Sequence, residues 1–251
     1  MIDVAFTRAE LRTCDIAVIV DVLRATSTAA QALVSGYSRV LCADSIERAL
    51  TLRGPDRTLA GERGCVMPEG FDQGNSPLEA TRCYSSDLVL ATTNGAPAIV
   101  EATAHAPIVL LASLLNLTAV VEALEELGPW EERDIQVVCS GTDGATAVED
   151  VYVAGRLTAL LEGPRTDAAQ VAEAVARAHP SAMDALSASA NAQVLVATGS
   201  ADDITYCAQE SKLDVVPSVL SVQEGVATVG VAEAEWRHAD GEASWTKATN
   251  A

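Results

Sequence analysis

Lysine is almost missing from this chain. Lys212 and Lys247 are the only two in 251 residues. Neither stands in a Walker loop, so a P-loop nucleotide site is excluded, and a Schiff-base lysine has no favourable context. Histidine is scarce too. His105, His179 and His238 bear no metal-type spacing to the six cysteines, Cys14, Cys42, Cys65, Cys83, Cys139 and Cys207, which include no CxxC pair. Free thiols of a cytoplasmic protein are the simplest account. Basic charge is short: 16 Lys and Arg against 35 Asp and Glu give a formal charge of −19 and a pI near 4.3. A chain so acidic, with no basic stripe, repels nucleic acid and anionic membranes. No apolar run approaches the roughly 18 residues of a membrane span, and the opening MIDVAFTRAEL lacks the basic-then-apolar pattern of a signal segment. GxGxxG is absent, which removes the dinucleotide fingerprint. Any anionic ligand must therefore be held by arginine, backbone N–H groups or a metal.

What the chain does have is 49% hydrophobic residues, enough for a large core, arranged as short β-branched runs alternating with helical sequence. Ile16–Val20 (IAVIV) reads as a strand buried on both faces. Further strands are predicted at Arg39–Ala43, 58–61, Asp87–Ala91, Ile108–Ala112 and Ile135–Cys139, each followed by a turn or a helix. The pattern predicts an α/β protein, layered α/β/α with a mostly parallel or mixed sheet. One domain over 1–251 is expected, with a sub-boundary conceivable at Gly163-Pro164. Helices are predicted over Asp167–Ala178, 181–196 and 201–209, then a hairpin turning at Glu224-Gly225 and a loosely structured tail from Trp236.

In such sheets ligands bind outside the carboxyl ends of the strands. The residues there are Asp21, Gly61-Glu62, Thr92-Thr93-Asn94-Gly95, Ser113 and Ser140-Gly141-Thr142, every one a ligand, a hydroxyl or a glycine. The densest group is AGERGCVMPEGFDQGNSP, residues 60–77. Its glycines permit tight turns, Glu62, Glu69 and Asp72 are oxygen ligands, and Arg63 is a fixed cation. That mixture suits a metal and an anion held together; a solvated surface turn is the competing reading. Arg24 precedes Thr26-Ser27-Thr28 at a helix start, where guanidinium, hydroxyls and helix N–H groups can converge on one anion, unless Arg24 is a surface residue paired with Asp21. Glu149-Asp150 read first as acids complementing a helix dipole and second as metal ligands. Cys42 and Arg48 match C-x5-R, but Asp44 and Glu47 between them would repel phosphate. Asp21 lacks the second acid two residues on that aspartyl-nucleophile phosphatases use, since Leu23 stands there.

VDVLRATST (20–28), AGER (60–63), EGFDQGNSP (69–77), TTNG (92–95) and the segment from Ser140-Gly141-Thr142 to Glu149-Asp150 together resemble the 2-phosphosulfolactate phosphatase family. Asp202-Asp203-Ile204 and residues 213–217 are similar more loosely. Asn191 stands where the family commonly has histidine. The resemblance implies a magnesium-dependent acid phosphatase hydrolysing 2-phosphosulfolactate to sulfolactate and phosphate, a step in coenzyme M biosynthesis. With the residue reading, it makes Asp21, Glu62 and Asp72 the expected catalytic and Mg²⁺-holding carboxylates, with Asp150 a further metal ligand. Arg24, Thr26, Ser27, Thr28, Arg63, Asn75, Thr93, Asn94, Gly95, Ser140, Gly141 and Thr142 are the expected contacts to a small anionic phosphorylated substrate. A metal-activated water is the expected nucleophile and covalent attack by Asp21 the alternative. The contrasting class is a binding protein that senses small phospho-acids without turnover. Either leaves room for a homo-oligomer.

Overall fold

Uninterrupted aliphatic and β-branched runs become strands, and alanine-rich stretches between them become helices. In the computed structural model, which describes residues 1–128 and 133–231, the order is β1 (Ile2–Ala5), β2 (Ile16–Val20), α1 (Ala25–Val34), β3 (Arg39–Ala43), α2 (Ile46–Thr51), β4 (Arg57–Gly61), β5 (Gln73–Gly74), β6 (Asp87–Ala91), α3 (Gly95–Ala102), β7 (Ile108–Ala112), α4 (Leu117–Glu126), β8 (Ile135–Cys139) and α5 (Val148–Leu160). Then come α6 (Asp167–Ala178), α7 (Ala182–Ser187), α8 (Ala190–Ala197), α9 (Ala201–Cys207), β9 (Pro217–Gln223) and β10 (Val226–Val231). The tail expected from Trp236 lies outside the described residues.

Among the described residues ten strands form one mixed sheet in the order β1-β8-β2-β7-β9-β10-β3-β6-β4-β5. The β9–β10 hairpin turns at Glu224 and Gly225, whose φ values of +47° and +76° suit a two-residue turn. It sits between two parallel halves, antiparallel to β7 on one side and to β3 on the other. Followed through those ladders, the β3 half runs opposite in sense to the β2 half. A twist of roughly 20–25° per strand accumulates to about 100–125° over the five steps from β2 to β6. The carboxyl ends of the second half thereby swing round towards those of the first.

The packing follows that curl. Ala17, Ile19, Val109 and Leu111 from one half and Val40, Cys42, Leu88 and Leu90 from the other share a core with the apolar faces of α1 and α3. On the outer side of the β2 half, Val18, Val20, Leu110 and Val137 pack against α4 and α5. Past Gly163-Pro164 the chain stays bound to this half, because Ile2 N donates to Pro164 O and Thr166 N donates to Ile2 O. Gly155 of α5 lets α6 approach closely: a Cβ there would lie 2.0 Å from Ala172 O.

One local expectation changes. The span 181–196 is two helices, because Ser189 leaves helical geometry and its hydroxyl caps α8 at Ala192 N. At the start of α1, Asp21 Oδ1 accepts from Ala25 N at 3.0 Å. Among the described residues no helix is long and apolar enough to cross a membrane.

Candidate active site

The ends of β2, β4, β6 and β8 are tied together by carboxylates accepting backbone N–H groups. Glu62, just past β4, accepts from Thr93 N beyond β6 at 2.7 Å and from Cys65 N in its own loop at 2.8 Å. Asp150, in the first turn of α5, accepts from Val22 N beyond β2 at 3.0 Å and from Gly141 N beyond β8 at 3.1 Å. Asn94 Oδ1 accepts from Asp143 N. Gly95 is required where α3 meets β2, since a Cβ there would lie 2.4 Å from Asp21 Oδ2.

These contacts enclose a cleft of about 120 Å³. Asp21, Glu62, Glu149 and Asp150 line it, all buried, with Arg24, Asn75, Thr93, Asn94, Gly141 and Thr142 around them. Among the described residues none of the four acids forms an ion pair with lysine or arginine. The consequence is electrostatic. Burial pushes Asp21 up to about 6, with the Glu62 charge adding to the rise against an opposing hydrogen bond from Ala25. Burial and the Asp21 charge push Glu149 up to about 7. Asp150 is raised well above the ordinary range, by burial first and then by Asp21 and Glu149. No three acid, histidine or cysteine side chains among the described residues form a ready-made metal group.

Several polar groups here also lack partners. Thr28 Oγ1, Asn75 Oδ1, Thr93 Oγ1 and Ser140 Oγ are buried with no hydrogen-bond partner among the described residues. Asn75 and Thr93 line the cleft, so a ligand's polar atoms can satisfy them.

Most of the residues read from sequence converge, and some do not. Asp72 is not among the residues that line the cleft: its carboxylate accepts from Leu59 N at 2.8 Å and pairs with Arg53 on the surface. Thr26 and Ser27 do not line the cleft either: their hydroxyls donate to Asp21 O and Val22 O at 2.8 Å, which fixes the β2–α1 turn. Thr28 and Ser140 are buried outside the cleft lining, and Ser113 closes a capping box with Asn116. Arg63 is exposed and lines a second cavity that shares Glu62 and Thr93 with the cleft. Arg24 is not a surface residue: it is buried, and its Nη1 donates to Asp203 at 2.7 Å.

In sequence Glu149 has a local explanation as an acid in a first helical turn, and nothing near Asp203 marks it as the partner of Arg24. Asn191 holds the cleft rim by donating to Leu23 O at 2.5 Å and accepting from Cys65 Sγ at 3.4 Å. The only sequence signal for it was its departure from the family's usual histidine.

Comparison with known proteins agrees with this geometry. The family model described as 2-phosphosulpholactate phosphatase matches residues 4–221. A protein of Thermus thermophilus described as "Probable 2-phosphosulfolactate phosphatase" is 40% identical over 221 residues, covering 86% of this chain and 92% of the relative. Relatives with the same description in Thermotoga petrophila and Deinococcus radiodurans are 36% and 38% identical, covering 88% and 82% of this chain and 96% and 88% of their own lengths. The match runs through every strand end that lines the cleft, and the chain belongs to the 2-phosphosulpholactate phosphatase family.

Proposed function

We propose that this chain is a phosphoric monoester hydrolase that cleaves a small phosphorylated hydroxy acid, 2-phosphosulfolactate foremost, to the free hydroxy acid and phosphate with Mg²⁺ as cofactor. The observation that carries the reading is the cluster of buried carboxylates without ion-pair partners at converging strand ends, facing one buried arginine. Four buried acids are costly unless a cation or protons compensate them. A hard divalent cation fits this donor set, because Mg²⁺ is commonly held by only one or two carboxylates together with waters and substrate phosphate. One or two of Asp21, Glu62 and Asp150 would hold it, and Asp72, paired with Arg53 at the surface, would not. When bound, the ion would neutralise phosphoryl charge and acidify a coordinated water.

The chain's own residues supply the rest. Arg24, fixed by Asp203, offers its remaining N–H groups to non-bridging phosphoryl oxygens. The Thr93 hydroxyl and the Asn75 side chain have unused hydrogen-bonding capacity on the same wall. Glu149, raised to about 7, can hold or release a proton near neutral pH, which suits it to take the proton of the attacking water and return it to the leaving alkoxide. The ester P–O bond breaks, the water oxygen bonds to phosphorus, and the proton ends on the hydroxyl of the product.

The test is phosphate release from a panel of small phosphorylated hydroxy acids, with Mg²⁺ and with chelator. Turnover that needs Mg²⁺ and prefers 2-phosphosulfolactate is expected. Ligand-induced melting shifts without any phosphate release would identify the non-catalytic sensor instead.

A further inference from the structure

The sheet is built as two matching halves. Counted outward from the central hairpin, the strands are β9, β7, β2, β8 and β1 on one side and β10, β3, β6, β4 and β5 on the other. β2 and β6 take the same place, flanked by β7 and β8 in one half and by β3 and β4 in the other. The chain also leaves them alike. β2 leads through α1 into β3, β6 leads through α3 into β7, and each connection crosses into the opposite half.

The likeness extends to single atoms. Just past β2, Asp21 Oδ1 accepts from Ala25 N at 3.0 Å, and just past β6, Thr92 Oγ1 accepts from Ala96 N at 2.9 Å. At the next residue, Val22 N donates to Asp150 Oδ1 at 3.0 Å and Thr93 N donates to Glu62 Oε1 at 2.7 Å. The other oxygen of each acid accepts from the loop after the neighbouring strand. Gly141 N, beyond β8, donates to Asp150 Oδ2 at 3.1 Å, and Cys65 N, beyond β4, donates to Glu62 Oε2 at 2.8 Å. Those loops match as well: Arg63 and Val66 exchange backbone hydrogen bonds across Gly64 and Cys65 (φ +59° and +64°), as Thr142 and Ala145 do across Asp143 and Gly144 (φ +51° and +79°).

Glu62 and Asp150 are therefore counterparts, each with both oxygens on backbone N–H groups, one from a strand–helix turn and one from the loop beside it. The turns themselves differ in charge. Where the first has Asp21 and Arg24, the second has Thr92 and Gly95.

Resting on the phosphatase reading, we propose that Glu62 and Asp150 are a matched pair of positioning residues, each fixing one strand–helix turn to its loop, and that the charged groups these turns present to the phosphoryl group, Asp21 and Arg24, both stand on the first turn. The second turn supplies neutral groups, Thr93 and Asn94. Asp150 then acts through Asp21, because it holds the peptide next to it.

The experiment has two arms. Amide hydrogen exchange, followed by NMR on the full chain, needs no turnover. In wild type the amides of Val22, Gly141, Thr93 and Cys65 should all be protected, and fast exchange of either pair overturns the proposal. Asp150→Asn keeps one acceptor oxygen and puts an NH₂ in place of the other. It should speed exchange at Val22 or Gly141 by about tenfold or more and leave Thr93 and Cys65 within about twofold of wild type. Glu62→Gln should reverse that pattern, and it carries the same test should Asp150→Asn not fold. Equal acceleration at all four amides, or none in either variant, overturns the pairing.

The second arm is kinetic and separates positioning from a merely structural role. Asp150→Asn should lower kcat/KM for 2-phosphosulfolactate about 100-fold in wild type but less than about threefold when Asp21 is already Asn, because the carboxylate it positions is then gone. A similar loss in both backgrounds, or none in wild type, overturns the proposal. If wild type releases no phosphate, the phosphatase reading fails while the exchange arm still decides the pairing.

Discussion

Arg24 and Asp203 are 179 positions apart in sequence and 2.7 Å apart in space, both almost wholly buried. Ser76 Oγ donates to the other oxygen of Asp203 at 2.6 Å, so α9, the loop after β5 and the start of α1 are locked around one guanidinium. The chain past Gly163 thus reaches back to set Arg24, the one cation among the described residues of the cleft lining. Removing the acid leaves Arg24 buried and unpaired, at a cost of about 3–5 kcal/mol. Asp203→Ala should lose that much unfolding free energy in denaturant titration, and a loss below about 1 kcal/mol would show that Arg24 finds another partner.

The raised carboxylates make a signed prediction about pH. Asp21 and Glu149 have ordinary values of 3.8 and 4.5 and folded values of about 6 and about 7, so between those limits the folded chain binds more protons than the unfolded one. Stability from these groups is full below the unfolded values and is lost as pH rises through the folded ones. The melting temperature of metal-free protein should therefore fall between about pH 4 and about pH 7, less steeply in Glu149→Gln. Mg²⁺ affinity should rise over the upper part of the same window as the acids give up their protons. A metal-free melting curve whose pH dependence is identical in wild type and Glu149→Gln would contradict the assignment.

Gly95 has no room for a side chain. An added Cβ would stand 2.4 Å from Asp21 Oδ2 and 2.5 Å from Ala25 Cβ, so the carboxylate, the α1 start or α3 has to move. Displacements near 1 Å at a reacting centre cost on the order of 100-fold in rate. Gly95→Ala should lower kcat/KM by about that factor while circular dichroism stays native. Near-normal kinetics would mean that Asp21 can shift without consequence.

Asp72 shows where a sequence stops being informative. Its loop has the composition of a ligand site, yet the chain folds so that Glu62 turns inward and Asp72 meets Arg53 at the surface, at 3.1 Å. Asp72→Asn should leave Mg²⁺ affinity within about twofold of wild type, because a surface pair of this kind contributes at most about 1 kcal/mol. A titration showing lost affinity would return Asp72 to the site.

The parts that were legible share a physical origin. IAVIV and IVLLA announce buried strands through uninterrupted apolar runs, DLVLA and IQVVC nearly so, and the place of Asp21, Glu62, Thr93, Asn94 and Gly141 just past strand ends follows from them, whereas their convergence needs the curl that brings two oppositely directed halves together. What sequence could not supply is long-range. β1 is a four-residue strand that owes its existence to pairing with β8. The hairpin at Glu224-Gly225 was readable from its turn, but its place between the two halves is fixed by ladders to β7 and β3. Thr26 and Ser27 look like anion ligands at a helix start until their hydroxyls are seen to close the turn onto Asp21 and Val22. Glu149 has a sufficient local explanation, and only its burial beside Asp21 and Asp150 gives it a chemical one.

If the buried acids at these strand ends perform Mg²⁺-dependent phosphoester hydrolysis, kcat/KM for 2-phosphosulfolactate depends on the charge of Asp21, which Asp21→Asn removes. Asp21→Asn keeps the size of the side chain and the oxygen that caps Ala25 while removing the charge. At saturating Mg²⁺ the variant should lose at least about 100-fold in kcat/KM relative to wild type, roughly 2.7 kcal/mol of transition-state stabilisation, with an unchanged fold. Activity within about threefold of wild type would contradict the account, because hydrolysis would then proceed without the carboxylate around which the cleft is built.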